Sequence, residues 1–272
     1  MNPILSRREC LTALSILPAA AAAGDVLGAQ PAATPAPAPP NLASFPAQDP
    51  ALVREIVGAS HRDIDKVKSL LKDAPRLANA AYDWGFGDWE TALGAASHTG
   101  RRAIAELLLE HGARPDIFAF AMLGNLDAVK AMIAAMPGIE RVRGPHGITL
   151  MKHAEAGDEA AAKVAEYLAT LPGASIPYPE AELSPSDYPR FEGTFAYAPG
   201  NTDRFHIEPN KAGNRLTIRR DGGTPQNLFY IGDNKFHPPG APECVIAFNV
   251  EDPRSRRVVI TTPAPLLTAE RV

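Results

Sequence analysis

The sequence predicts two folded domains, an α-helical repeat array followed by a small all-β antiparallel barrel or sandwich. Three observations carry that expectation. Apolar residues recur at helical spacing across residues 49–173. From residue 190 onward the period falls to two. Proline divides the chain in the same way, with seven between Pro31 and Pro50, four across residues 51–171 and fourteen from Pro172 onward. A length of 272 residues suits one or two domains. The net charge of −4 offers no basic face for a polyanion, so nucleic acid is not expected as a partner.

The N-terminus has the organisation of an export signal. Arg7 and Arg8 precede an Ala-rich apolar stretch from Cys10 to about Ala23. That stretch is shorter than the ~20 apolar residues that span a bilayer. A charged start, a short apolar segment and small residues after it predict a cleaved leader over residues 1–29. Ser6-Arg7-Arg8-Glu9-Cys10-Leu11 resembles the twin-arginine export motif, with Cys10 where that motif usually carries Phe. The resemblance implies export in the folded state to the periplasm or beyond, with no stable membrane insertion after cleavage. Residues 30–48 are rich in Pro and Ala and uncharged, which predicts an extended linker.

The helical array is built from short units. Val53, Ile56 and Val57 stand at i, i+3, i+4, as do Val67, Leu70 and Leu71, then Ile104, Leu107 and Leu108, then Val129, Met132 and Ile133. Thr91-Ala92-Leu93-Gly94-Ala95-Ala96-Ser97-His98-Thr99-Gly100 resembles the opening of an ankyrin repeat, and Ile104 to Ala113 resembles its second helix and close. Thr91 can cap the first helix and Gly112 can end the second in a left-handed turn. The resemblance implies an α-helical ankyrin repeat solenoid of about four units over residues 49–173, the outer two serving as caps. The array is irregular: from Arg62 through Gly100 and Gly124 to Gly157 the steps are 38, 24 and 33 residues.

The long first step carries an insertion, Ala81 to Glu90, that holds both tryptophans of the chain. In an ankyrin stack this would be a finger loop on the partner-binding face. Tyr82, Trp84, Phe86 and Trp89 are its candidate contacts, because large rigid aromatic surfaces dominate protein interfaces. The alternative is that the same rings brace the loop internally. A second finger, Arg141 to Gly147, adds Arg141, Arg143 and His146 as candidate contacts, with His146 in a Gly/Pro-rich tight turn. A structural turn His is the plainer reading of His146. His98 and His153 fall on helices, where packing or capping roles are the more common.

Residues 174–189 read as a Pro-rich linker, and 190–272 as seven or eight short strands joined by tight turns. Phe205 alternates with Ile207 and Leu216 with Ile218, which predicts an antiparallel meander curling on itself. Phe191-Glu192-Gly193-Thr194-Phe195 and Asn234-Lys235-Phe236-His237-Pro238 resemble landmarks of lipocalin-like modules that follow serine hydrolases of the β-lactamase type. This resemblance implies a fold more than a function. Cys244, alone once the leader is removed, is expected as a small buried hydrophobe. Arg254, Arg256 and Arg257 cluster near a hairpin turn, either solvated or in contact with a small anion.

Motifs for chemistry are missing. There is no G-x-S-x-G, H-E-x-x-H, Walker loop or C-x-x-C, and the seven histidines never fall at tight ligand spacing. The expectation is therefore no catalytic residue, no metal and no cofactor. The leading functional reading is an exported, non-catalytic protein–protein interaction module binding an unknown protein partner. A small-molecule or lipid carrier using the β module is the first alternative. The second is an enzyme or metalloprotein, which convergence of His206, His237 and a carboxylate would support.

Overall fold

The computed structural model describes residues 47–251, 257–262 and 264–272. The leader, nearly all of the first linker, Arg254 and Arg256 lie outside the described residues.

Eight α-helices come first among the described residues: α1 Pro50–Ala59, α2 Ile64–Asp73, α3 Ala92–His98, α4 Arg102–Glu110, α5 Ile117–Met122, α6 Leu126–Ala135, α7 Leu150–Ala156 and α8 Ala162–Ala169. Their starts follow local chemistry. The side chains of Asp49, Asp63, Thr91, Asp116 and Thr149 each accept a backbone N–H of the first turn. Gly112 has φ +83°, the left-handed close expected after α4. Between α2 and α3 the insertion forms a two-stranded antiparallel ribbon, β1 Ala81–Asp83 with β2 Trp89–Thr91.

Nine further strands make one antiparallel sheet: β3 Gly193–Tyr197, β4 Asp203–Pro209, β5 Leu216–Arg220, β6 Gln226–Asn227, β7 Phe229–Gly232, β8 Lys235–His237, β9 Val245–Asn249, β10 Arg257–Thr262 and β11 Ala264–Arg271. The order is β6-β5-β4-β3-β11-β10-β9-β8-β7. Only Leu228 separates β6 from β7, yet these strands stand at opposite ends of that order. A sheet whose two edges are one residue apart in sequence must curl until they lie side by side, so this one is a nearly closed barrel. Its interior is filled. Phe191, Phe195, Phe205, Phe236 and Phe248 meet ring to ring, with Ile207, Leu216, Ile218 and Ile246 buried around them. Cys244 is buried too, and burial pushes its thiol up to about 11.

The barrel half of the expectation fits; the two-domain reading with an α-helical ankyrin repeat solenoid does not. Short helices and the large sheet belong to one compact unit, with no solenoid standing apart from a β module among the described residues. The insertion is not a free finger. Phe86 packs against the barrel core, and Gln226 at the start of β6 donates its side-chain N–H to the Trp84 carbonyl. Arg54 of α1 reaches Thr224 at 3.0 Å. The physical reason is that an i, i+3, i+4 stripe reports one buried helix face without saying what covers it.

Candidate metal centre

The seam between helices and barrel gathers four side chains that are far apart in sequence. His61 follows α1, Glu90 is the middle residue of β2, His98 is the last residue of α3, and His146 lies in the turn before α7. His61, Glu90, His98 and His146 each present one ligand-type atom, and all four atoms lie within 4.8 Å of one another. The Nε2 atoms of His98, His146 and His61 stand 2.9, 3.2 and 3.4 Å from Glu90 Oε1. His98 Nε2 and His61 Nε2 are 3.2 Å apart. Metal–nitrogen and metal–oxygen bonds of about 2.0–2.1 Å in a tetrahedron give ligand–ligand edges of about 3.3 Å, close to these four separations.

Three of the four ligands, His146, His61 and Glu90, are held from behind. Asp88 accepts from the backbone N–H of His146 at 2.8 Å and, through Oδ2, from its Nδ1 at 2.7 Å. His146 needs that clamp, since its φ of +58° is a strained conformation for a non-glycine residue. His61 Nδ1 faces the carbonyls of Val57 and Gly58 at 3.1 and 3.2 Å. Trp84 donates its indole N–H to Glu90 Oε2 at 2.7 Å. Carboxylates and carbonyls behind histidine rings are the usual outer shell of a metal site, because they fix the ring and its tautomer.

The converging groups need positive charge at their centre, supplied either by a metal or by protons on the rings. Acceptors behind His61 and His146 claim their Nδ1 protons, so in the neutral rings the Nε2 lone pairs aim at Glu90 Oε1. Lone pairs converging on a carboxylate repel unless a cation lies between them. Protonating the rings instead buries imidazolium charge against the Glu90 and Asp88 carboxylates, at a desolvation cost. Without a metal, protons supply that charge. Burial alone would lower His146, but hydrogen bonds to Asp88 and Glu90 raise it to about 10. His61 is raised in the same sense against burial, and the three histidines hold Glu90 well below the carboxylate range although burial opposes it.

Beneath this group, His153 of α7 is fully buried. Its Nδ1 is 2.9 Å from the Thr149 carbonyl, and burial pushes its pKa down to about 4. On the open side lies a cavity of about 300 Å³, lined by His61, Trp84, Asp88, His146, Thr224, Pro225, Gln226, Asn227, Phe229 and Pro239. Gly240 closes the seam from the barrel. A Cβ there would stand 2.7 Å from Asp88 Oδ1.

The sequence-nominated partner residues are scattered by the fold. Trp89 is 63% exposed, whereas Tyr82 and Trp84 pack edge to face at 4.8 Å against the helical core. Phe86 turns to the barrel. Arg141 is exposed beside Glu140, and Arg143 lies over the Tyr178 ring at 5.1 Å. His146, nominated as a finger residue, is a member of the centre. His206 and His237 sit on β4 and β8, five places apart in the sheet order. His206 bridges Thr194 and Asp221, while His237 stacks on Phe229.

Sequence reasoning missed the centre because its ligands come from four elements with 29, 8 and 48 residues between successive members (90−61, 98−90, 146−98). One usable signal was the acid pair Asp88 and Glu90, two apart at the start of β2, where one residue can ligate and the other support. No protein-family model matches the sequence, and no curated protein matches it significantly. The assignment therefore rests on this geometry.

Proposed function

We propose that this chain is a metalloprotein that binds one first-row divalent ion, such as Zn²⁺, through His61, Glu90, His98 and His146. The observation that carries the reading is the convergence of three Nε2 atoms on one fully buried carboxylate oxygen, with Asp88 and Trp84 bonded behind the ligands. Three nitrogens and one oxygen suit a borderline ion better than Ca²⁺ or Mg²⁺, which take all-oxygen shells. Untagged protein, stripped with chelator and titrated with Zn²⁺ by calorimetry, is expected to bind one equivalent. Failure to bind any of Zn²⁺, Co²⁺, Mn²⁺ or Fe²⁺ at a 1:1 ratio sinks the reading.

The twin-arginine leader adds a proposal of destination, the periplasm or the extracellular space. That route carries folded proteins and suits one that acquires its metal before export. Fractionation of cells expressing the full chain and its Arg7→Lys/Arg8→Lys variant tests it.

One observation favours a second reading, contact with a protein partner: the exposed Trp89 ring. Trp89→Ala should then abolish retention of that partner in pull-downs while leaving metal content unchanged.

A further inference from the structure

We propose that the metal centre is open on one side, and that the cavity beside it binds a small uncharged organic molecule. That molecule would give an oxygen donor to the metal as a fifth ligand, beside the four side chains. The inference rests on the metal reading above and deepens it.

Burial of the four ligands is graded rather than uniform. Glu90 is fully buried and His98 is 10% exposed, while His61 and His146 are 26% and 29% exposed. Those two are also the ligands that line the cavity. A structural metal site is closed on all sides by protein; a site with a vacant direction keeps one face toward a space that a second molecule can enter.

The rest of the lining supplies the second observation. Trp84, Pro225, Phe229 and Pro239 give the space a largely apolar lining suited to a ring or short chain.

Charge argues against an anion. A divalent ion with the carboxylates of Glu90 and Asp88 sums to zero, and the lining contains neither Lys nor Arg. A volume of about 300 Å³ is at the lower end of small-molecule sites.

Cobalt-loaded full-length protein provides the test, because the visible bands of Co²⁺ change with its coordination. Benzamide carries a ring and a carbonyl oxygen donor and is uncharged; benzoate, of the same size, is the anionic control. The expected result is a saturable shift of the cobalt bands with benzamide, much weaker with benzoate, with cobalt retained through gel filtration. Phe229→Ala should leave the ligand-free cobalt spectrum intact, which also reports folding, and weaken benzamide about tenfold. Pro239→Ala, a second variant in the same lining, should weaken it in the same direction. A bound cobalt whose bands do not move with benzamide overturns the open-site inference and leaves the metal reading standing. Equal affinity in wild type and both variants overturns the cavity as the binding place. Absence of cobalt binding takes down the metal reading itself, and the inference with it.

Discussion

Two histidine sites in this molecule use similar groups to opposite ends. On the barrel surface His206 sits between Thr194 at 3.1 Å and Asp221 at 2.6 Å, and Asp221 is 61% exposed. At the seam His61, His98 and His146 surround a carboxylate that water does not reach. Exposed, an imidazole–carboxylate pair is screened and worth little. Buried, the same pairing must be balanced by a cation or by protons, and the fold builds an outer shell around it. Position in the fold decides which of these pairs acts as a site.

The largest expected effect lies at the centre of the buried group. Glu90→Gln removes the only anionic ligand and should lower Zn²⁺ affinity more than about 100-fold in competition titrations with a chelator, since even losing an outer-shell partner typically costs 10–100-fold. An unchanged affinity would make the two histidine sites equivalent and the comparison empty. Asp88→Asn keeps the shape but weakens the acceptor behind His146, and should cost about 10–100-fold in the same assay.

Gly240→Ala probes the same clamp from the barrel side. Its φ of +75° and the 2.7 Å approach to Asp88 leave no room for a methyl group. A loss of about 1–2 kcal/mol in denaturant unfolding is expected, together with weaker metal binding.

His153 gives a pH test. Its pKa is near 4 folded against 6.5 unfolded, so the unfolded chain takes up the proton first as pH falls. Its contribution is fully present above pH 6.5, declines from there to about 4 and is gone below. The difference amounts to at most about 3 kcal/mol. His153→Gln should therefore flatten the loss of stability on acidification relative to wild type, read as the difference in unfolding midpoint at pH 7 and pH 4.5. The smallest effect belongs to the surface pair. His206→Ala and Asp221→Ala should leave both melting temperature and metal affinity unchanged.

Much of the architecture was legible from periodicity. The stripes Val67/Leu70/Leu71 and Ile104/Leu108 became buried helix faces, and Phe205/Ile207 and Leu216/Ile218 became the barrel interior. The cap at Thr91 acts within one turn, so sequence shows it directly. His146 was legible as a turn and not as a ligand, because its role depends on Asp88, 58 residues earlier in the chain.

By itself, then, the sequence determined the local elements: helix faces, capped starts, tight turns and alternating strands. These depend on contacts within a few residues. Only tertiary structure decided that helices and barrel share one unit, that the tryptophan loop folds into the seam, and that His61, Glu90, His98 and His146 meet. Convergence of side chains separated by tens of residues depends on how layers pack, and no spacing rule along the chain encodes it.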